Sequence, residues 1–174
     1  RGHAGRRADD MLQLPLGVRL RDASRFENFI AAANAPAVHA ARGLVAASAP
    51  AVLWLWGTRG SGRSHLLQAV CASAGACGKP SAYLPLSELA RLGFCVLAGL
   101  ESLAIVAIDD IEGVAGIADW ERALFNLYNA VADGNASLIV AAVAPPAGGD
   151  SEGPGFVPHR RRAEAGGVAA GPGG

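Results

Sequence analysis

The chain has 174 residues, 51% of them hydrophobic, and its 15 Lys and Arg balance 15 Asp and Glu to a formal net charge of +0. That length fits one domain with a substantial core, and the neutral balance removes the global positive field on which non-specific nucleic-acid binding depends. No apolar run approaches the roughly 18 to 20 residues of a membrane helix without an intervening Arg, Asp or Glu, so a membrane span is not expected. The start, Arg1-Gly2-His3-Ala4-Gly5-Arg6-Arg7, is basic with no apolar stretch of signal-peptide type behind it. The only methionine is Met11, so residues 1–10 are expected to be upstream sequence outside the fold. Cys71, Cys77 and Cys95 are odd in number and lack CxxC spacing, which argues against disulfides and zinc. They are expected to be small core residues in a reducing cytoplasm.

Residues 51–56, AVLWLW, form a short apolar run ending at Gly57, the pattern of a strand buried on both faces of a parallel sheet. Gly57-Thr58-Arg59-Gly60-Ser61-Gly62-Arg63-Ser64 follows and fits GxxxxGK(S/T), except that Arg63 stands where lysine is expected. The spacing has a chemical reason. Glycines let backbone N–H groups wrap around phosphates, and the loop then feeds a helix whose N-terminus favours anions. Ser64 is placed to bind Mg²⁺ and Arg63 to reach the terminal phosphates, with a bulkier fork than an ammonium. A plain Gly-Ser turn between strand and helix is the bland alternative.

Apolar Leu66, Leu67, Val70 and Cys71 at helical spacing predict a helix after Ser64 that stops near Gly75. A second strand is expected over 81–86, then a short helix opened by Ser87, and a third strand over 103–108 ending at Asp109 and Asp110. Two carboxylates at the C-terminal end of a buried strand lie where open α/β sheets bind ligands. Asp109 suits Mg²⁺ coordination, and Asp110 sits where a water-polarising catalytic acid would be. Asp119 is expected to cap a helix over 120–132, with a fourth strand over 137–142. Strands alternating with helices imply right-handed crossovers and a three-layer α/β fold with a parallel sheet.

Beyond Pro145-Pro146 the chain becomes dense in Gly, Pro and Ala, and residues 147–174 are expected to lack order. A sheet of this type normally continues, so a truncation or a shifted reading frame is expected near 146, with the C-terminal lid missing. Arg160, Arg161 and Arg162 then form a solvated charge cluster rather than a catalytic finger.

Together these segments resemble the DnaA-like branch of the AAA+ P-loop proteins. Phe26-Glu27-Asn28-Phe29-Ile30 with Asn34 resembles the segment that the family places before its P-loop, where Phe29 and Asn34 would help form an adenine pocket. The P-loop running into Ser64-His65-Leu66-Leu67 is similar to the family's, as are Leu124-Phe125-Asn126-Leu127-Tyr128-Asn129-Ala130 and Ser137-Leu138-Ile139-Val140 before Pro145-Pro146. The likeness spans roughly residues 12–146. It divides the chain into a segment over 11–22, a nucleotide-binding AAA+ domain over 23–146, and the tail.

The resemblance implies ADP or ATP with Mg²⁺ as cofactors, held by Gly57, Thr58, Arg59, Gly60, Ser61, Gly62, Arg63, Ser64 and His65. Gln13-Leu14-Pro15-Leu16 is similar to the clamp-docking peptide of regulatory members, in which a glutamine and spaced leucines enter an apolar cleft while Pro15 holds the backbone extended. It therefore implies docking of Gln13, Leu14 and Leu16 on the DNA polymerase sliding clamp and action on DnaA. DNA is met only through the clamp, no membrane is involved, and a homo-oligomer is left open. Val143 stands where the family carries a polar sensor, which predicts at most a weak ATPase. An autonomous P-loop NTPase and a DnaA-like initiator or loader fragment are the alternatives.

Overall fold

The computed structural model describes Phe26, residues 35–145 and residues 162–164. The elements run α1 (Ala35–Ala46), β1 (Val52–Trp56), α2 (Arg63–Ala76), β2 (Ser81–Pro85), α3 (Leu86–Leu89), β3 (Ile105–Asp109), α4 (Ala118–Asp133), β4 (Ser137–Ala142) and β5 (Arg162–Glu164), with short 3-10 turns between α3 and β3 and again after β3. The strands make one five-stranded sheet in the order β2-β3-β4-β1-β5. Every pairing is parallel.

Side chains alternate across the strands, and the alternation divides the core into two layers. Leu53, Leu55, Ile105, Ala107, Ile139 and Ala141 face α1 and α2 together with Leu66, Leu67 and Val70. Leu84, Val106, Ile108, Leu138 and Val140 face α4 and the 3-10 turns, where Trp120, Leu124, Leu127, Tyr128 and Val131 close the layer. Both faces of the central strands are thereby covered, which explains why β3 and β4 read as unbroken apolar runs.

The strands fall where the apolar runs place them, within two residues at each end, and β4 matches its expected span. Several expectations need correction. Helix α1 was not anticipated, because Ala, Pro and Gly dilute its apolar spacing; Ala37, Val38, Ala41, Leu44 and Val45 nevertheless bury one face. Helix α2 continues past Gly75 to Ala76, and Gly78, at φ +70°, supplies the left-handed residue beyond its end. Helix α4 begins at Ala118 with no side-chain cap, because Asp119 lies inside its first turn and pairs instead with Arg122 at 3.5 Å. Glu121 reaches back to accept the Gly116 N–H at 2.8 Å. Among the cysteines only Cys71 is buried; Cys77 and Cys95 are exposed.

Within 147–174 the described residues are 162–164, which form a short strand paired with Val52, Leu53 and Trp54 of β1. The physical reason is that β1 bonds β4 along one side only, and a further strand engages the N–H and C=O groups of the other.

Candidate functional site

The C-terminal ends of β1, β4 and β3 lie along one edge of the sheet, with Trp56 in register with Ala142 and Ile108 with Val140. The glycine-rich loop leaves this edge. Its first residue is anchored there, because the Gly57 N–H donates to the Ala142 carbonyl at 3.2 Å. The Ser61 N–H donates to the Thr58 carbonyl at 3.2 Å and closes a turn. Gly60 at φ +81° and Gly62 at φ +91° both take left-handed backbone that a side chain would strain. Gly62 sits at the N-cap of α2, and its carbonyl accepts the Leu66 N–H at 2.9 Å. The first-turn N–H groups of a helix have no carbonyl one turn earlier to bond, so the start of α2 offers donors toward the loop.

Two polar side chains are buried beside that helix start. Ser61 and Arg63 are each 6% exposed, and neither the Ser61 Oγ nor the Arg63 Nη1 has a hydrogen-bond partner. Arg63 lies 3.9 Å from the Glu112 Oε1, a charge pair longer than a hydrogen bond. The other carboxylate oxygen of Glu112 is also buried without a partner. Left-handed glycines, a helix N-terminus, a guanidinium and an unsatisfied hydroxyl form a donor-rich cradle whose chemistry fits a phosphate group. Thr58, Arg59, Gly60 and Ser64 are exposed at the surface of this loop, and His65 is half-buried.

Asp109 ends β3 at 1% exposure. Its carboxylate accepts the Tyr83 hydroxyl at 2.7 Å on Oδ2 and the Asp110 N–H at 3.0 Å on Oδ1. Each oxygen keeps a further lone pair, so the carboxylate is oriented without being saturated. Burial pushes the Tyr83 hydroxyl well above the ordinary tyrosine range; its bond to Asp109 adds to the rise and a bond from Gln68 offsets part of it. Asp110 adopts φ 52°, the one non-glycine residue with positive φ among those described, and accepts the Ser87 Oγ at 2.9 Å. Val143, just past β4, is 45% exposed.

The fold thus brings the glycine loop and Asp109-Asp110 to one sheet edge. Phe29, Asn34, Gln13, Leu14 and Leu16 lie outside the described residues. Phe26 is buried in the α1–α2 layer with the Arg42 guanidinium 5.2 Å from its ring centroid, the position of a core anchor. Tyr83 and the partnership of Arg63 with Glu112 went unread in the sequence. The one signal for Tyr83 was a hydroxyl-bearing aromatic in the strand beside the acidic one. A cavity of about 370 Å³ opens at the opposite sheet edge, near Lys79, Asn135 and Ser137. Lys79 is committed there to the carbonyls of Val45 at 2.6 Å and Ala47 at 3.1 Å. Among the described residues no helix is long and apolar enough to cross a membrane, and no group of three or more His, Cys, Asp or Glu is arranged around a metal.

This parallel sheet, with its glycine loop and acidic strand end, has the fold of the AAA+ P-loop domains. The solved structures it is similar to include AMPPCP-bound DnaA from Aquifex aeolicus, at 21% identity and a TM-score of 0.63, covering 71% of this chain and 43% of that one. Domain III of Thermotoga maritima DnaA is similar at 22% identity and a TM-score of 0.63, covering 72% and 58%. DnaI is similar at 17% identity and a TM-score of 0.58, covering 70% of each chain. The chain spans about two fifths of the length of the first DnaA structures it matches. No family model matches the sequence.

Proposed function

We propose that the chain is an adenine-nucleotide-binding regulator of chromosomal replication initiation, of the kind represented by Hda in the DnaA family. The observation that carries the nucleotide part is the buried, partnerless Ser61 Oγ and Arg63 Nη1 beside the left-handed Gly62 and the start of α2. In this reading residues 57–65 surround the phosphates of ADP or ATP, while Phe29 and Asn34 contribute to the adenine site. Ser64 and Asp109 hold Mg²⁺, which neutralises phosphate charge when bound. Tyr83 and the Asp110 N–H fix the Asp109 carboxylate for that role, and Asp110 orients water. The fold shared with AMPPCP-bound DnaA supports nucleotide binding.

The Hda-like part rests on sequence: Gly62-Arg63-Ser64-His65-Leu66-Leu67 in the loop, Ile111-Glu112 and Trp120-Glu121 behind the acidic strand, and Gln13-Leu14-Pro15-Leu16 near the start. The partners are then the sliding clamp and DnaA, whose ATP hydrolysis the protein promotes, and the setting is the cytoplasm. Titration calorimetry with ADP, joined to surface plasmon resonance on immobilised clamp, tests both parts. A chain carrying Gly62→Val and Ser64→Ala is expected to bind ADP at least about tenfold more weakly, roughly 1.4 kcal/mol; affinity equal to the parent's overturns the phosphate site. Gln13→Ala with Leu14→Ala is expected to cost about 2 kcal/mol or more on the clamp, since such interfaces concentrate energy in few anchors, and to leave ADP affinity unchanged. Undiminished clamp binding removes the Hda-like part and leaves an initiator or loader of the DnaA or DnaI kind.

A further inference from the structure

We infer that Glu112 is a positioning residue that competes with phosphate for Arg63, so that a nucleotide engages the loop only as Arg63 exchanges one anionic partner for another. This rests on the nucleotide-binding reading above and adds a control element to the same site. Arg63 is the first residue of α2 and occupies the place of the loop lysine, yet its guanidinium is directed to Glu112. The pair is incomplete. At 3.9 Å it balances charge without forming a hydrogen bond, and the Arg63 Nη1 and Glu112 Oε2 both remain buried and unpartnered. A guanidinium presents five donors in a planar fork that matches phosphate oxygens two at a time, so a phosphate satisfies donors that Glu112 leaves idle.

Glu112 cannot simply follow Arg63 toward the loop. It lies on the 3-10 turn Ile111–Val114 that continues from β3, and that turn is held by the Gly113 N–H donating to the Asp110 carbonyl at 2.8 Å. A β-carbon on Gly113 would stand 3.1 Å from the Ser87 backbone, so the turn is also seated closely on the start of α3. The carboxylate therefore holds Arg63 from a fixed base, and the apparent affinity for phosphate is lowered by the fraction of time Arg63 spends on Glu112.

The test uses the full chain, with ADP, inorganic pyrophosphate and adenosine as probes in titration calorimetry. Glu112→Gln keeps the shape and removes the charge, and it is expected to tighten ADP and pyrophosphate by about five- to tenfold, as when an Arg63 engaged for most of the time is released. Adenosine binding, which involves no phosphate, stays the same. In an Arg63→Gln background the gain from Glu112→Gln disappears, which assigns it to this pair. In the unaltered protein the carbon-13 signal of the Glu112 carboxylate moves as ADP saturates. That measurement decides the matter if the Glu112→Gln chain does not fold. ADP affinity unchanged or weakened in a folded Glu112→Gln chain, or a stationary Glu112 signal at ADP saturation, overturns the competition and leaves the nucleotide site standing. Failure of parent and variant alike to bind ADP and pyrophosphate overturns both.

Discussion

Cys71 lies on the sheet-facing side of α2, 3% exposed, with its Sγ 3.6 Å from the Ala82 carbonyl. Burial pushes its thiol from the ordinary 9.0 up to about 11, with a bond to Ser81 holding it back slightly. The folded state thus keeps a proton that the unfolded chain gives up more easily. Its contribution is complete below about pH 9 and is lost as pH rises through about 11, an effect of roughly 2 kcal/mol. Urea unfolding at pH 8 and pH 11 should show the parent losing more stability than a Cys71→Ala chain by about that amount; equal losses contradict it. A thiol reagent should find Cys77 and Cys95 at once and Cys71 only on unfolding. Composition could not sort these residues, because cysteine is a small hydrophobe that suits either setting. Cys77 follows the last turn of α2 and Cys95 rides a 3-10 turn, and both positions point outward. Arg63 illustrates the same limit. Loop spacing places its Cα, and the partner its side chain takes is decided by Glu112, a residue distant in sequence.

At the level of elements, the turn after β3 and the start of α3 meet so closely that a methyl group on Gly113 makes a tight contact. Gly113→Ala sets the new Cβ 3.1 Å from the Ser87 N and Cα, a contact that no side-chain rotation relieves, so one of the two backbones must give way. Overpacking of this kind costs about 1 to 3 kcal/mol, and denaturant titration is expected to find a loss in that range. An unchanged midpoint means the two elements part freely. The same turn carries Asp110 and Glu112, so its seating matters for the candidate site as well as for stability. Much of this level was legible in advance. SLIVAA is apolar at nearly every position because β4 is buried on both faces. AVLWLW is apolar throughout although Val52, Trp54 and Trp56 on one face of β1 are only half-buried, and Gly57 and Asp109-Asp110 mark where two of the strands end. The residues of α1 gave no such contrast. Alanine fills both its buried and exposed positions, so its packing against α2 was visible only in three dimensions. The three-residue β5 contains no apolar run at all; its place is set by the open edge it joins.

Across the whole molecule, β1 is the strand on which the loop depends, and its backbone is shared between β4 and β5. Removing residues 162–174 exposes one edge of it. Hydrogen exchange is expected to accelerate by about tenfold or more for those of the 52–54 amides that face β5, in keeping with stability that varies from region to region, while β2 and β3 keep the parent's protection. Uniform protection in the shortened chain argues that β5 adds nothing to β1. The strand order also has a consequence in time. β1 pairs with no strand made before it, and its Ala51–Ser137 bond joins residues 86 positions apart. At roughly 5 to 20 residues per second of synthesis, a chain leaving the ribosome carries Leu53-Trp54-Leu55-Trp56 unpaired for on the order of 5 to 15 s before β4 follows. During that interval the segment leading into the glycine loop exposes apolar surface of the kind that favours aggregation and that chaperones cover.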